Sequence, residues 1–168
     1  YVGGCIRKII KKEEVDDIDL ATNLIPTEVC DALKKNNINF YETGIDHGTI
    51  TAIIGDQKYE ITTLRKDVST DGRHAKVEFS LDWKDDSNRR DFTINAIYSD
   101  KDGNLFDPHN GKKDLESGAV KFIGNPEERI QEDYLRILRY LRFFLNYSNI
   151  KHDLEIFKTI KRNIGGIS

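Results

Sequence analysis

Two runs rich in β-branched and aromatic residues, Thr49 to Ile54 and Tyr59 to Leu64, flank Gly55-Asp56-Gln57. A chain with this pattern is committed to a β-hairpin, because the alternation suits a half-buried strand and the glycine supplies the turn. Further on, the spacing of apolar residues changes. Asn125-Pro126-Glu127-Glu128 offers an N-cap, a proline at the first helical position and an acidic first turn. Tyr134, Leu138, Leu141 and Leu145 then recur at helical intervals and predict one amphipathic helix over 126–147. Strand-forming and helix-forming segments thus follow one another in an α+β chain, with a boundary near residue 116, after Gly111 and Asp114-Leu115.

Upstream of the hairpin, Tyr1-Val2 reads as the end of a strand, Cys5 to about Lys11 as a short helix and Val15 to Leu20 as a second strand. Pro26 opens a helix carrying Val29 and Leu33 that stops at Asn36-Asn37. Residues 66–76 are polar, contain Gly72 and predict a mobile loop. Arg89 to Ile97 and Asn104 to Asp107 suggest two further elements joined by an Asp100-Lys101-Asp102-Gly103 turn.

Composition narrows the function. No stretch approaches the ~18 consecutive apolar residues of a membrane span, so no membrane partner is expected. Cys5 and Cys30 show neither metal-site nor disulfide-framework spacing, which fits a reducing, cytoplasmic setting. The 26 basic and 29 acidic residues give a net charge of −3, which argues against a protein that coats nucleic acid wholesale. The charge is uneven. Residues 129–168 carry eight Lys/Arg against four Asp/Glu, while residues 1–128 carry 18 against 25, as expected of an acidic metal-binding part followed by one facing an anionic partner. The start at Tyr1 without methionine and the end on Gly165-Gly166-Ile167-Ser168 suggest a piece of a longer protein.

Several short motifs carry chemistry. Asp17 and Asp19 stand two apart in a strand-like run, so both carboxylates leave on one face and can grip a hard cation such as Mg²⁺. The ordinary alternative is a solvated turn. Gly3-Gly4 at a helix start can bring backbone N–H groups to a phosphate, with Arg7 one turn on; a plain turn is the competing reading. Glu60 would add a third carboxylate for two-metal phosphoryl transfer, or be a surface strand residue. Arg89-Arg90-Asp91-Phe92-Thr93-Ile94-Asn95-Ala96 offers forked donors for phosphate, and in Asp91 and Asn95 polar groups for a ribose. Asp133 and Arg136, followed at three-residue steps by Arg139 and Arg142, form either an intrahelical salt bridge or a base reader. A carboxylate beside a guanidinium matches cytosine and adenine, which show an amino group next to an unprotonated ring nitrogen; guanine and uracil present the reverse.

Taken together, Tyr1-Val2-Gly3-Gly4-Cys5-Ile6-Arg7, Asp17-Ile18-Asp19-Leu20-Ala21-Thr22, Tyr59 to Arg65, Arg89 to Ala96 and Glu132 to Arg139 resemble the class II CCA-adding tRNA nucleotidyltransferases and the related bacterial poly(A) polymerases, in family order over essentially the whole chain. The resemblance implies a DNA polymerase beta-like head, a mixed β-sheet with flanking helices, over residues 1–115. Residues 116–168 would begin a helical neck, with body and tail beyond. It implies Mg²⁺ on Asp17 and Asp19, the triphosphate at Gly4 and Arg7, ribose and phosphate at Arg90, Asp91 and Asn95, and the incoming base at Asp133 and Arg136. The expected reaction adds C and A to the 3′ end of tRNA from CTP and ATP with release of pyrophosphate. Poly(A) synthesis on RNA 3′ ends and a noncatalytic RNA-binding remnant are the alternatives. One departure stands out: Lys8 occupies a position where the family usually has Asp.

Overall fold

A computed structural model describes residues 1–71, 74–151 and 153–167. Its centre is a four-stranded mixed sheet in the order β1 (Ile18–Thr22), β4 (Gln57–Thr63), β3 (Thr49–Ile54), β2 (Asn39–Gly44). β3 and β4 are the anticipated hairpin, closed by Gly55-Asp56. β1 runs parallel to β4, and helix α2 (Pro26–Lys35) lies between β1 and β2 in sequence. Proline opens α2, the Glu28 carboxylate accepts the Ile25 N–H at 3.0 Å, and Val29, Cys30 and Leu33 pack on Ile50 and Ala52 of the sheet. The edge strand β2 was not anticipated. It leaves Tyr41 58% exposed, so it lacks the regular apolar face that marks a strand in sequence.

Helix α1 (Gly4–Lys11) precedes the sheet. Gly3 opens it at φ +73°, a backbone shape that favours glycine, and a Cβ there would stand 3.5 Å from the Arg90 guanidinium. β1 begins at Ile18 rather than Val15, because Val15 packs with Cys5, Ile6 and Ile97 against α1 instead of joining the ladder. Asp17 therefore lies just ahead of the strand.

The polar stretch expected to be a loop contributes to β5 (Arg65–Asp71) and β6 (His74–Phe79), an antiparallel pair running from Arg65 opposite Phe79 to Asp71 opposite His74. A backbone ladder tolerates polar residues, and Val68, Thr70 and Val77 favour strand. Gly72 lies outside the described residues. Beyond it come α3 (Trp83–Asn88), a short 3₁₀ turn at Thr93–Asn95, and the small pair β7 (Tyr98–Ser99) and β8 (Leu105–Phe106). Asp100 closes the turn between those two strands by accepting the N–H groups of Asp102 and Asn104.

The rest of the chain is helical: α4 (Gly111–Ser117), α5 (Pro126–Glu132), α6 (Leu135–Tyr147) and α7 (Leu154–Asn163). The single helix expected over 126–147 is broken. Asp133 is extended, at φ −156° and ψ 104°, and its carboxylate caps the Leu135 N–H at 3.0 Å. The break resets the phase, so α6 buries Ile137, Tyr140 and Phe143, while Leu138, Leu141 and Leu145 are exposed. The largest core cluster joins Phe92 and Ile94 to Leu115, Phe122, Ile130, Ile137, Tyr140, Phe143 and Ile160, with Phe122 and Tyr140 stacked at 5.6 Å. This aromatic core draws on both sides of residue 116, so the loop at 89–96 is packed rigidly against α6. Among the described residues no helix is long and apolar enough to cross a membrane.

Candidate functional site

A cleft of about 600 Å³ opens between the start of α1, strand β1, the loop at 89–95 and helix α6. It takes in Gly3, Gly4, Arg7, Asp19, Arg90, Asp91, Asn95, Asp133, Arg136, Arg139 and Arg142. Of the metal- and nucleotide-site candidates named from sequence, Asp17 and Glu60 do not line it.

The acidic side is sparse. Asp19 sits in β1, tied to the chain start by the Val2 N–H bonding its carbonyl at 3.0 Å. Burial pushes its carboxyl above the ordinary value, and the charge of Asp17 adds to this while Arg90 and Arg7 oppose it. Asp17 itself is exposed. Glu60 lies opposite Asp19 in the parallel ladder of β4 but is exposed. Asp17 lies off the end of that ladder, and the described residues contain no group of three metal-ligating side chains. The expected three-carboxylate cluster is therefore not assembled; Asp17 and Asp19 remain as a pair. Two carboxylates of like charge, one of them half-buried and disfavoured as an anion, fit a hard divalent cation bound through oxygen.

The cationic side is dense. Six arginines line the cleft, Arg7, Arg89, Arg90, Arg136, Arg139 and Arg142, against three aspartates, Asp19, Asp91 and Asp133. In a chain of net charge −3 this excess concentrates positive potential in one concave place. The arginines are held. Arg7 donates to the Asn95 side-chain oxygen, the Asn95 amide donates to Asp91 at 2.9 Å, and Arg139 donates to the other Asp91 oxygen at 2.6 Å. Beneath them the Phe143 ring lies 4.7, 5.6 and 4.9 Å from the guanidinium carbons of Arg7, Arg139 and Arg142. Arg89 and Arg90 are both bound by the buried Asp86.

The salt bridge offered as an alternative for Asp133 and Arg136 is not formed. Asp133 occupies the break between α5 and α6, and Arg136 instead donates to the Arg129 carbonyl at 2.7 Å and to Glu132 at 2.5 Å. Lys8 pairs with Asp16 and does not line the cleft. Sequence reading passed over Asp86 and Phe143 and gave Arg89 and Glu132 no role of their own. Arg89 and Glu132 stood in motifs already singled out, whereas Asp86 and Phe143 carried no local signal.

A family model described as the poly A polymerase head domain matches residues 1–121. The chain belongs to this family. It is 45% identical to the human mitochondrial CCA tRNA nucleotidyltransferase 1 over 99% of its own length, which is 39% of that relative. Among solved structures it is similar to the Bacillus stearothermophilus CCA-adding enzyme in complex with CTP, with a TM-score of 0.85 and 29% identity over 100% of this chain and 40% of that one. It is also similar to a tRNA nucleotidyltransferase complexed with a primer tRNA and an incoming ATP analogue, with a TM-score of 0.76 and 29% identity over 98% of this chain and 46% of that one. The chain thus spans about two fifths of the length of these relatives.

Proposed function

We propose that this chain is the nucleotide-binding head, residues 1–115, and the start of the neck, from residue 116, of a template-independent enzyme that adds C and A to the 3′ end of tRNA. CTP and ATP would be the substrates and pyrophosphate the by-product. The observation that carries the reading is the cleft with six arginines and a glycine-opened helix start facing Asp19. Such a lining suits a triphosphate and has little use for a neutral ligand.

Each residue then has a task. Gly3 and Gly4 let the triphosphate approach the start of α1, and Arg7 and Arg90 neutralise it. Asp91 and Asn95, which bond one another, present acceptors and donors to the ribose. Asp17 and Asp19 would hold Mg²⁺, which when bound supplies charge neutralisation and activation of the primer hydroxyl. Asp133 accepts from the amino group of C or A, and Arg136 donates to the adjacent ring nitrogen. UTP and GTP would place a carbonyl against the carboxylate and an N–H against the guanidinium, at a cost of about 1–3 kcal/mol or more for charged groups. Cys5 and Cys30 are both free and buried, which suits the reducing cytosol we also propose.

The test is extension of a tRNA lacking its 3′ end by the full-length protein, with CTP alone, ATP alone and both. Addition of C from CTP alone and completion with A when both are present is the expected outcome. Long A tracts from ATP alone would make the protein a poly(A) polymerase, and no incorporation would leave an RNA-binding module.

A further inference from the structure

Asp86 lies in α3, behind the cleft wall, with a side chain 1% exposed, and it takes no part in the nucleotide contacts proposed above. Its two carboxylate oxygens are nevertheless heavily committed. One oxygen accepts from Arg89 Nε at 2.9 Å and Nη2 at 2.8 Å. The other accepts from Arg90 Nη2 at 3.1 Å, Arg90 Nε at 3.3 Å and the Tyr98 hydroxyl at 2.6 Å. Tyr98 in turn accepts from Arg90 Nε at 3.0 Å, and its ring lies 5.3 Å from the Arg90 guanidinium carbon.

These contacts occupy the Nε–Nη2 edge of the Arg90 guanidinium and leave Nη1 pointing the other way. Nη1 stands 3.5 Å from the Asn95 carbonyl and 3.5 Å from where a Cβ on Gly3 would lie, at the cleft wall. A guanidinium is planar and rigid, so fixing one edge fixes where the opposite donors point. Burial works against the Asp86 anion, but Arg90, Arg89 and the Tyr98 hydroxyl outweigh it and hold the carboxyl below its usual range. The same burial pushes the Tyr98 hydroxyl up, so it remains a donor.

We propose that Asp86 is a positioning residue: with Tyr98 it clamps one edge of Arg90 so that Nη1 is presented to the triphosphate beside Gly3. This rests on the nucleotide-site reading above. A buried acid that merely balanced charge would not need both oxygens aligned on two guanidinium edges and a hydroxyl.

The experiment is a double-mutant cycle in the full-length protein, reading the CTP Kd, the KM for CTP and the KM for tRNA, with Tm alongside. Arg90→Ala and Asp86→Asn should each weaken CTP by about tenfold, and the double variant no further, because Asp86 acts through Arg90. The tRNA KM should stay unchanged. Tyr98→Phe removes only the shared hydroxyl and should cost about threefold, an effect absent from the Arg90→Ala background. If Asp86→Asn does not fold, Tyr98→Phe decides the matter. Multiplying losses in the double variant, a tRNA KM that rises with the CTP KM, or unchanged CTP affinity in Tyr98→Phe would overturn the proposal. Failure of the wild-type protein to bind CTP at all would remove the nucleotide reading together with it.

Discussion

The two walls of the cleft are built in opposite ways. On the cationic wall, Arg90 is clamped by Asp86, Arg7 by Asn95, Arg139 by Asp91 and Arg136 by Glu132 and a backbone carbonyl. All of this stands on an aromatic core that includes Phe92 and Phe143. On the acidic wall, Asp17 is exposed ahead of β1, and of that pair Asp19 alone lines the cleft. The contrast teaches where the cost of order is met. Long arginine side chains lose rotamer freedom when fixed, and folding has already met that cost through packing. Two carboxylates of like charge repel one another, so on the reading proposed above the acidic wall would be completed by the cation it holds.

Breaking the acidic wall should have the largest effect. Asp19→Asn or Asp17→Asn in the full-length protein should lower nucleotide incorporation by orders of magnitude, with Tm and CTP affinity little changed, because neither residue organises the arginines. Activity within about tenfold of wild type in either variant would contradict the division of labour. Removing the proposed base reader should be the next largest change. Asp133→Ala with Arg136→Ala should leave all four nucleotides incorporated poorly and with little preference, measured as kcat/KM on one tRNA acceptor. Retention of the wild-type preference for CTP and ATP would place base reading elsewhere. On the cationic side, loss of the Phe143 ring should matter least. Phe143→Leu keeps an apolar side chain but removes the ring beneath three guanidinium groups, each such contact being worth about 0.5–2 kcal/mol. CTP affinity should fall severalfold in a binding titration, while Asp133-dependent base preference persists.

Much of this site was legible because its chemistry is written in short strings. Gly3-Gly4 with Arg7, and Arg90-Asp91 with Asn95, sit within a few residues of one another, and the structure converges them on one cleft. Asp86 was hidden in Trp83-Lys84-Asp85-Asp86-Ser87-Asn88, which reads as a solvated polar run; its burial depends on Tyr98 and two arginines closing over it. The helix break at Asp133 was equally invisible. Glu132, Asp133 and Tyr134 do not interrupt a helical pattern by composition, and only the cap on Leu135 shows that the chain turns there. That break also explains why the leucine stripe of α6 looked like a core face and is exposed instead. Glu60 could be read as a third carboxylate or as a surface strand residue; it lies opposite Asp19 in the ladder and is exposed, and period alone does not say whether a strand residue faces a cleft or solvent.

The arginines of the cationic wall take their order from protein partners, Arg90 from Asp86, Arg7 from Asn95 and Arg139 from Asp91. Titrating CTP into the full-length protein with Mg²⁺, and again with the cation removed by a chelator, asks whether that order suffices for binding. CTP should still bind without Mg²⁺, with a Kd raised by no more than about tenfold, or ~1.4 kcal/mol, while incorporation into tRNA stops. Loss of measurable CTP binding on removal of Mg²⁺ would contradict it, because the arginines would then depend on the metal for their order.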